Sequence, residues 1–292
     1  MDKRAPVLVS LLVLGAAALL PSRGMSEGEL CANLSCPGAD LSRKDLSGMN
    51  LAGADMRNVN LTKAKLRGAN LTGANLTGAT LEKADLRGAN LTDARFEHAL
   101  APKATFDEAT LTGANLQRMR ARNASFIRAN LERADFREAD LRFVVLSEAS
   151  ADFVTFRKAD MKSATLARAR ITRADLTDTD LSTANAEKTN FQHSGFAHTI
   201  LTNARLIGAD LSHTRFDAVD ATGSDLSEAV LTSADLFRSK FDKTTFDKAT
   251  LAGAMARKSS FEGARFEKAR VDGFTVDAHS TWPEGIERPT SP

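Results

Sequence analysis

Tyrosine is absent from the 292 residues and tryptophan occurs once, whereas phenylalanine occurs 16 times. A globular domain of this length ordinarily draws on all three aromatics, so one residue type here fills one repeated kind of pocket. Cysteine is nearly missing as well: Cys31 and Cys36 alone exclude a disulfide-dense miniature fold. Net charge is small, with 39 basic against 37 acidic side chains for a formal +2. That balance excludes a strongly basic nucleic-acid coat and a strongly acidic decoy. Apolar residues are plentiful at 42% of the chain, too many for an intrinsically disordered protein.

The N-terminus reads as an address. Lys3 and Arg4 precede an apolar run from Val7 to Leu20, followed by Pro21-Ser22-Arg23-Gly24. A basic start, a short apolar stretch and small residues predict a secretory signal peptide over 1–24, cut after Gly24. The run falls short of the roughly 20 residues that cross a bilayer, which weighs against an uncleaved anchor. Loss of residues 1–24 removes Lys3, Arg4, Arg23 and Asp2, leaving a formal charge of zero.

From Leu41 to Val271 an apolar residue, usually a large one, stands at every number ending in 1 or 6, which makes 47 units of five without an insertion. These centres are 25 Leu, 12 Phe, two Met, Ile171, Val271 and six Ala, with small residues two positions earlier, mostly Ala. A period of five suits neither a helix nor a plain strand. It suits a chain that turns a corner every five residues, with one large and one small side chain inward. Twelve of the 18 glycines lie two residues after a centre, where a type II turn needs positive φ. Glycine is dense before residue 114 and sparse after it, which predicts a change of turn type along the rod. Ala101, Ala121, Ala151, Ala186, Ala221 and Ala256 predict weak core layers. Leu100, Phe153 and Met255 are expected to lean into three of them.

The units Ala-Asn-Leu-Thr-Gly at 69–73 and 74–78 and Ala-Asp-Leu-Arg-Gly at 84–88 resemble the repeats of the pentapeptide-repeat proteins. The resemblance covers residues 39–276 and implies an all-β fold: a right-handed quadrilateral parallel β-helix (β-solenoid), with four units per coil and about 12 coils. Cys36-Pro-Gly-Ala-Asp-Leu-Ser resembles the Cys-x-x-Cys-Asp-Leu-Ser opening of some members, with Ala39 in place of the second Cys. Thr281-Trp282-Pro283-Glu284-Gly285 resembles a common C-terminal tail of the family. The expected order is signal peptide 1–24, N-terminal cap 25–38, repeats 39–276 and tail 277–292. Cys31 and Cys36 stand five apart on the repeat phase and should meet near the first coil, either as a disulfide or as two buried thiols. Phe274 and Trp282 are the large apolar residues available to cover the other end.

With four units per coil, residues 20 apart are stacked neighbours. Glu108, Arg128, Glu148 and Arg168 then form an alternating ladder, and Asn50, Asn70, Asn90 and Asn130, with Thr110 among them, an amide ladder. Arg43, Lys63, Lys83 and Lys103 stack like charges, a candidate anion-binding column. Asp140, Asp160 and Asp180 form an acidic column with too few oxygens for Ca²⁺. His193 and His213 stack without a third metal ligand. Ile127, Phe143 and Val145 should project outward around one corner in adjacent coils as a candidate interaction patch. The competing reading there is a local distortion that draws Phe153 into the core beside Ala151.

No phosphate loop, carboxylate pair or nucleophile–base set is in place for catalysis, and a filled convex rod lacks the concavity of a small-molecule site. The reading is therefore a non-enzyme without cofactor, metal or small-molecule substrate, periplasmic or secreted. It presents flat faces to a protein partner or to a second copy, with no membrane span after signal cleavage. The resemblance also implies an alternative, a DNA mimic that binds DNA gyrase, which needs a negative cytoplasmic rod. Neutral mature charge and the signal segment both oppose it, and nucleic acid is unexpected as a partner. A further alternative is a binder of anionic envelope polymers through the Arg43–Lys103 column.

Overall fold

The computed structural model describes residues 35–289. The segment assigned to a signal peptide, and Cys31 with its pairing, lie outside the described residues. Parallel bridges join residues 20 apart without a break, from Ser35 with Asp55 to Thr250 with Arg270. Four units therefore complete one coil, and the chain winds a four-sided parallel β-helix of about 12 coils at about 4.8 Å each. On most faces a single residue per unit is bridged. On one face the pairing widens into short strands: β1 (Arg215–Asp217), β2 (Asp235–Phe237), β3 (Met255–Ala256) and β4 (Thr275–Val276). They stack in parallel in the order β1-β2-β3-β4. The ladder is already in place at Ser35 and buried Cys36, inside the stretch assigned to an N-terminal cap.

The five-residue unit has a specific hydrogen-bond logic. The centre donates its N–H to the coil above, as Leu41 does to the Asn60 carbonyl at 2.8 Å. The corner residue two positions later does the same, and the next small residue closes the turn, Ala54 N to Leu51 O at 3.1 Å. The N–H one residue after the centre has no backbone partner in this scheme. An Asp or Asn before the centre accepts it: Ser42 N to Asp40 Oδ1 at 3.0 Å, Thr62 N to Asn60 Oδ1 at 3.0 Å, Thr177 N to Asp175 Oδ1 at 3.0 Å. Where Asp or Asn stands before the centre, it is thus an intra-unit acceptor for a donor that the backbone scheme leaves over.

Inside, centres and small residues form one continuous core from Cys36 to Val276. Phenylalanines stack between coils, Phe106 on Phe126 at 4.6 Å and Phe196 on Phe216 at 4.9 Å between ring centroids. Leu100, Phe153 and Met255 do not lean inward, contrary to expectation: Leu100 is half-buried, and Phe153 and Met255 are 45% and 44% exposed. The small centres are offset by bulk elsewhere in their own coil instead. Ala101 and Ala121 stack on one face beside the Phe106–Phe126 pair on the next.

At some inward positions of the C-terminal half, between 179 and 259, Ser or Thr replaces Ala, and each of these hydroxyls is satisfied. Thr179, Thr189, Thr199 and Thr244 donate to the carbonyl of a centre one coil below, at 2.7–2.8 Å. The predicted change of turn type is also corrected. Every residue numbered 3 or 8 in its decade, from Gly38 to Gly273, has φ between 52° and 72°, and 35 of these 48 are not glycine. One turn geometry runs the length of the rod, and the second half builds it mostly without glycine.

Candidate interaction surfaces

Phe143 is a corner residue at φ 59° and 44% exposed, while Val145 and Ile127 are half-buried on the adjoining face. Val145 bridges Ser125, and Ile127 lies two residues along that lower strand, so the two side chains are diagonal neighbours on one face. The Arg122 guanidinium covers the Phe143 ring at 5.2 Å. The frame is unbroken from 141 to 156 and Phe153 stays outside, so the local-distortion reading fails. Phe143 stands at the corner before the face that carries Val145, and Ile127 at the turn after it one coil below. Ile127 is held by Asp107 below it, whose carboxylate accepts the Ile127 N–H at 3.0 Å.

Phe153 forms a second surface that the sequence reading missed. It is clamped between Arg133 at 5.4 Å and Arg173 at 5.3 Å, the residues one coil below and above it. The interval of 20 that defines every other column would have found this sandwich. His193 and His213 continue the same column, with centroids 5.0 Å apart and planes within 4°. Ring nitrogens point their lone pairs within the ring plane, so two parallel imidazoles do not converge on one ion.

The charged columns differ in kind. Arg142 holds Asp140 at 2.5 Å and reaches Asp160 at 3.5 Å, and Lys162 holds Asp180 at 3.1 Å. The acidic column is therefore neutralised by the neighbouring basic one, and the Arg142 guanidinium keeps the Asp140 carboxyl below its usual range. Arg128 pairs with Glu108 at 2.5 Å, and Asn70 donates to Asn50 at 3.0 Å, one rung in each of the two ladders. The Arg43–Lys103 column is not neutralised in this way. Lys83 meets Glu82 at 3.2 Å. Among the described residues no carboxylate pairs with Arg43, Lys63 or Lys103.

Among the described residues no helix is long and apolar enough to cross a membrane, and no group of three His, Cys, Asp or Glu is placed to hold a metal.

The family model for pentapeptide repeats, written as eight copies, matches in twelve overlapping segments that run from residues 32–73 to 234–273. Among solved structures, HetL from Nostoc sp. strain PCC 7120, a protein involved in heterocyst differentiation regulation, is 24% identical over 82% of this chain and 87% of its own, with a TM-score of 0.26. QnrB1, a plasmid-mediated fluoroquinolone resistance protein, is 18% identical over 84% and 93%, with a TM-score of 0.31. A pentapeptide repeat protein of the Arabidopsis thaliana thylakoid lumen is 29% identical over 50% and 70%, with a TM-score of 0.17. No curated protein matches the sequence.

Proposed function

Because this chain belongs to the pentapeptide-repeat family and builds its right-handed quadrilateral β-helix, we propose that it is an exported, non-enzymatic scaffold whose corner patch at Phe143 docks a second protein chain. Members of the family are structural or interaction proteins as a rule. The carrying observation is Phe143 itself. A bulky aromatic at positive φ costs backbone energy, and at 44% exposure it returns little of that through burial. Within the fold Phe143 returns little beyond its contact with Arg122, whereas a binding surface gains an exposed ring next to the face that carries Val145 and Ile127. A second copy is the preferred partner, because two rods joined through one shared patch close on themselves.

The test uses protein purified from its native host. Intact mass reads the N-terminus, expected near Met25; an uncut Met1 in a cytoplasmic fraction removes the export reading and revives a cytoplasmic partner. Light scattering reads the assembly. Phe143→Gly with Val145→Thr should reduce a dimeric mass to monomeric while the melting temperature holds or rises. A parent that is already monomeric removes self-pairing and assigns the patch to a foreign protein.

A further inference from the structure

The N-terminal four coils carry a cost at one corner that the other three avoid. Twelve residues occupy those other three corners between 38 and 113, all at positive φ, and eight of them are glycine. Three more are Asn58, Asp93 and His98, the residue types that tolerate this conformation best, and Glu108 is the remaining one. The fourth corner has no glycine at all. It carries Arg43, Lys63, Lys83 and Lys103 at φ of 57–60°. Long cations have no preference for this backbone region, which costs an ordinary L-residue roughly 1 kcal/mol or more.

A second cost is added to the first. The four side chains stack in register, about 4.8 Å apart along the rod, so like charges face one another. Glu82 against Lys83 is the one carboxylate partner among the described residues. The flanking carboxylates are engaged elsewhere: Asp85 with Arg67 and Arg87 at 2.6 and 2.7 Å, Asp45 with Lys65 at 3.7 Å. The charge is also one-sided. Residues 40–47, 60–67, 80–87 and 100–107, which line this corner, include eight Arg or Lys and five Asp or Glu. The opposite edge of the same coils, 50–57, 70–77, 90–97 and 110–117, includes two and three. Exposed Arg120 and Arg122 extend the basic line into the next coil.

Two costs concentrated in the same four residues, offset inside the protein only by the exposed Lys83–Glu82 pair, point outside it. We propose that the Arg43–Lys63–Lys83–Lys103 ladder binds an extended acidic polysaccharide lying along the rod axis, with one carboxylate per sugar ring. Four cations in a straight line match a linear polymer whose charges recur at short, even intervals. Three of the four are lysine, a mobile point charge that reads charge density rather than the bidentate geometry of a phosphate. Duplex DNA fits poorly, since its phosphates wind away from a straight edge. A planar anionic membrane would press against Asp40, Asp45, Glu82 and Asp85 on the two flanking faces.

The full chain is titrated with polygalacturonate and, separately, with duplex DNA and anionic phosphatidylglycerol vesicles. Binding to polygalacturonate should weaken with added salt. The variant Arg43→Gly, Lys63→Gly, Lys83→Gly, Lys103→Gly should fold, because glycine is already the common residue at the other corners of these coils. It should melt no lower than the parent and bind the polymer about tenfold or more weakly. The control Lys243→Gly, Lys248→Gly, Lys258→Gly, Lys268→Gly removes four cations from the far end and should bind as the parent does. Equal loss in both variants would show bulk charge, and no loss in the ladder variant would clear the ladder; either overturns the proposal. So does a parent that ignores polygalacturonate, or one that prefers the duplex or the vesicles. None of these outcomes touches the Phe143 patch, which is read by mass alone.

Discussion

At the scale of one residue, the corner decides more than the core does. Each corner demands a left-handed backbone, which glycine adopts freely and other residues adopt at a cost. The 35 non-glycine corners therefore draw stability away from the fold at many separate points. Four of the five histidines are corners, at 98, 193, 198 and 213, which fits the tolerance of His for this region without invoking a metal. Lys243 stacks between Gly223 and Gly263, so Lys243→Gly should stabilise by about 0.5–1 kcal/mol, the backbone relief less the added freedom of the unfolded chain. Gly68 has φ 61° and open space where a Cβ would go, so Gly68→Ala should destabilise by about 1 kcal/mol through the backbone alone. Chemical denaturation reads both, and equal signs for the two would contradict the account. The glycines between 48 and 113 revealed the corner position in the sequence. Their scarcity later suggested a different turn because composition shows what a position prefers, not what a stacked neighbour can force upon it.

At the scale of the repeat unit, the pattern of large, small and Asp/Asn residues was fully legible, and so was the interval of 20 between neighbours. Periodicity reports which way a side chain points. It does not report what bonds a hydroxyl or carboxylate makes once there. The inward Ser and Thr therefore looked like mere small residues, yet Thr199 caps the Leu176 carbonyl at 2.7 Å. The Asp before each centre likewise looked like consensus, yet it answers a backbone donor and collects arginines. Asp85 accepts from Arg87 at 2.7 Å and Arg67 at 2.6 Å, and Asp140 from Arg142 at 2.5 Å. Hydrogen bonding to Arg87 and to Arg142 holds these two carboxyls below their ordinary range. Groups depressed in the folded state contribute stability above the unfolded pKa and lose it as pH falls through and below the folded one. Melting temperature should accordingly hold from pH 7 to about 5 and drop below about pH 4. Asp85→Asn keeps the amide acceptor but gives up the charge, so the gap between parent and variant should close in acid. A gap independent of pH would assign Asp85 a packing role instead.

At the scale of the whole rod, stability is a sum over coils, and the ends are where the sum is incomplete. The sequence nominated Phe274 and Trp282 as covers for the C-terminal layer, and both take part. Phe274 is buried, and the Trp282 ring lies 4.8 Å from Phe266, 5.3 Å from Phe261 and 6.0 Å from Phe274. The tail is tied down by Thr281 N to Ser259 O at 3.0 Å and by Ser280 Oγ, which accepts the Ser259 N–H at 2.9 Å. The cover is partial. Val271, the last centre of the frame, is 38% exposed because no coil follows on its face. The Trp282 indole N–H is buried without a partner among the described residues, so the ring serves as bulk and not as a donor. Trp282→Phe should therefore leave the protein's mass and melting unchanged. Trp282→Ser, or loss of residues 277–292, uncovers Phe261 and Phe266 together with the open strand edges beside them. Such an end meets another end head to tail or face to face, and a head-to-tail contact between rods does not close. Light scattering should then show mass that climbs with concentration, unlike the fixed doubling expected of the Phe143 patch. A concentration-independent mass for the truncated chain would show that the last coil covers itself and that the tail is dispensable.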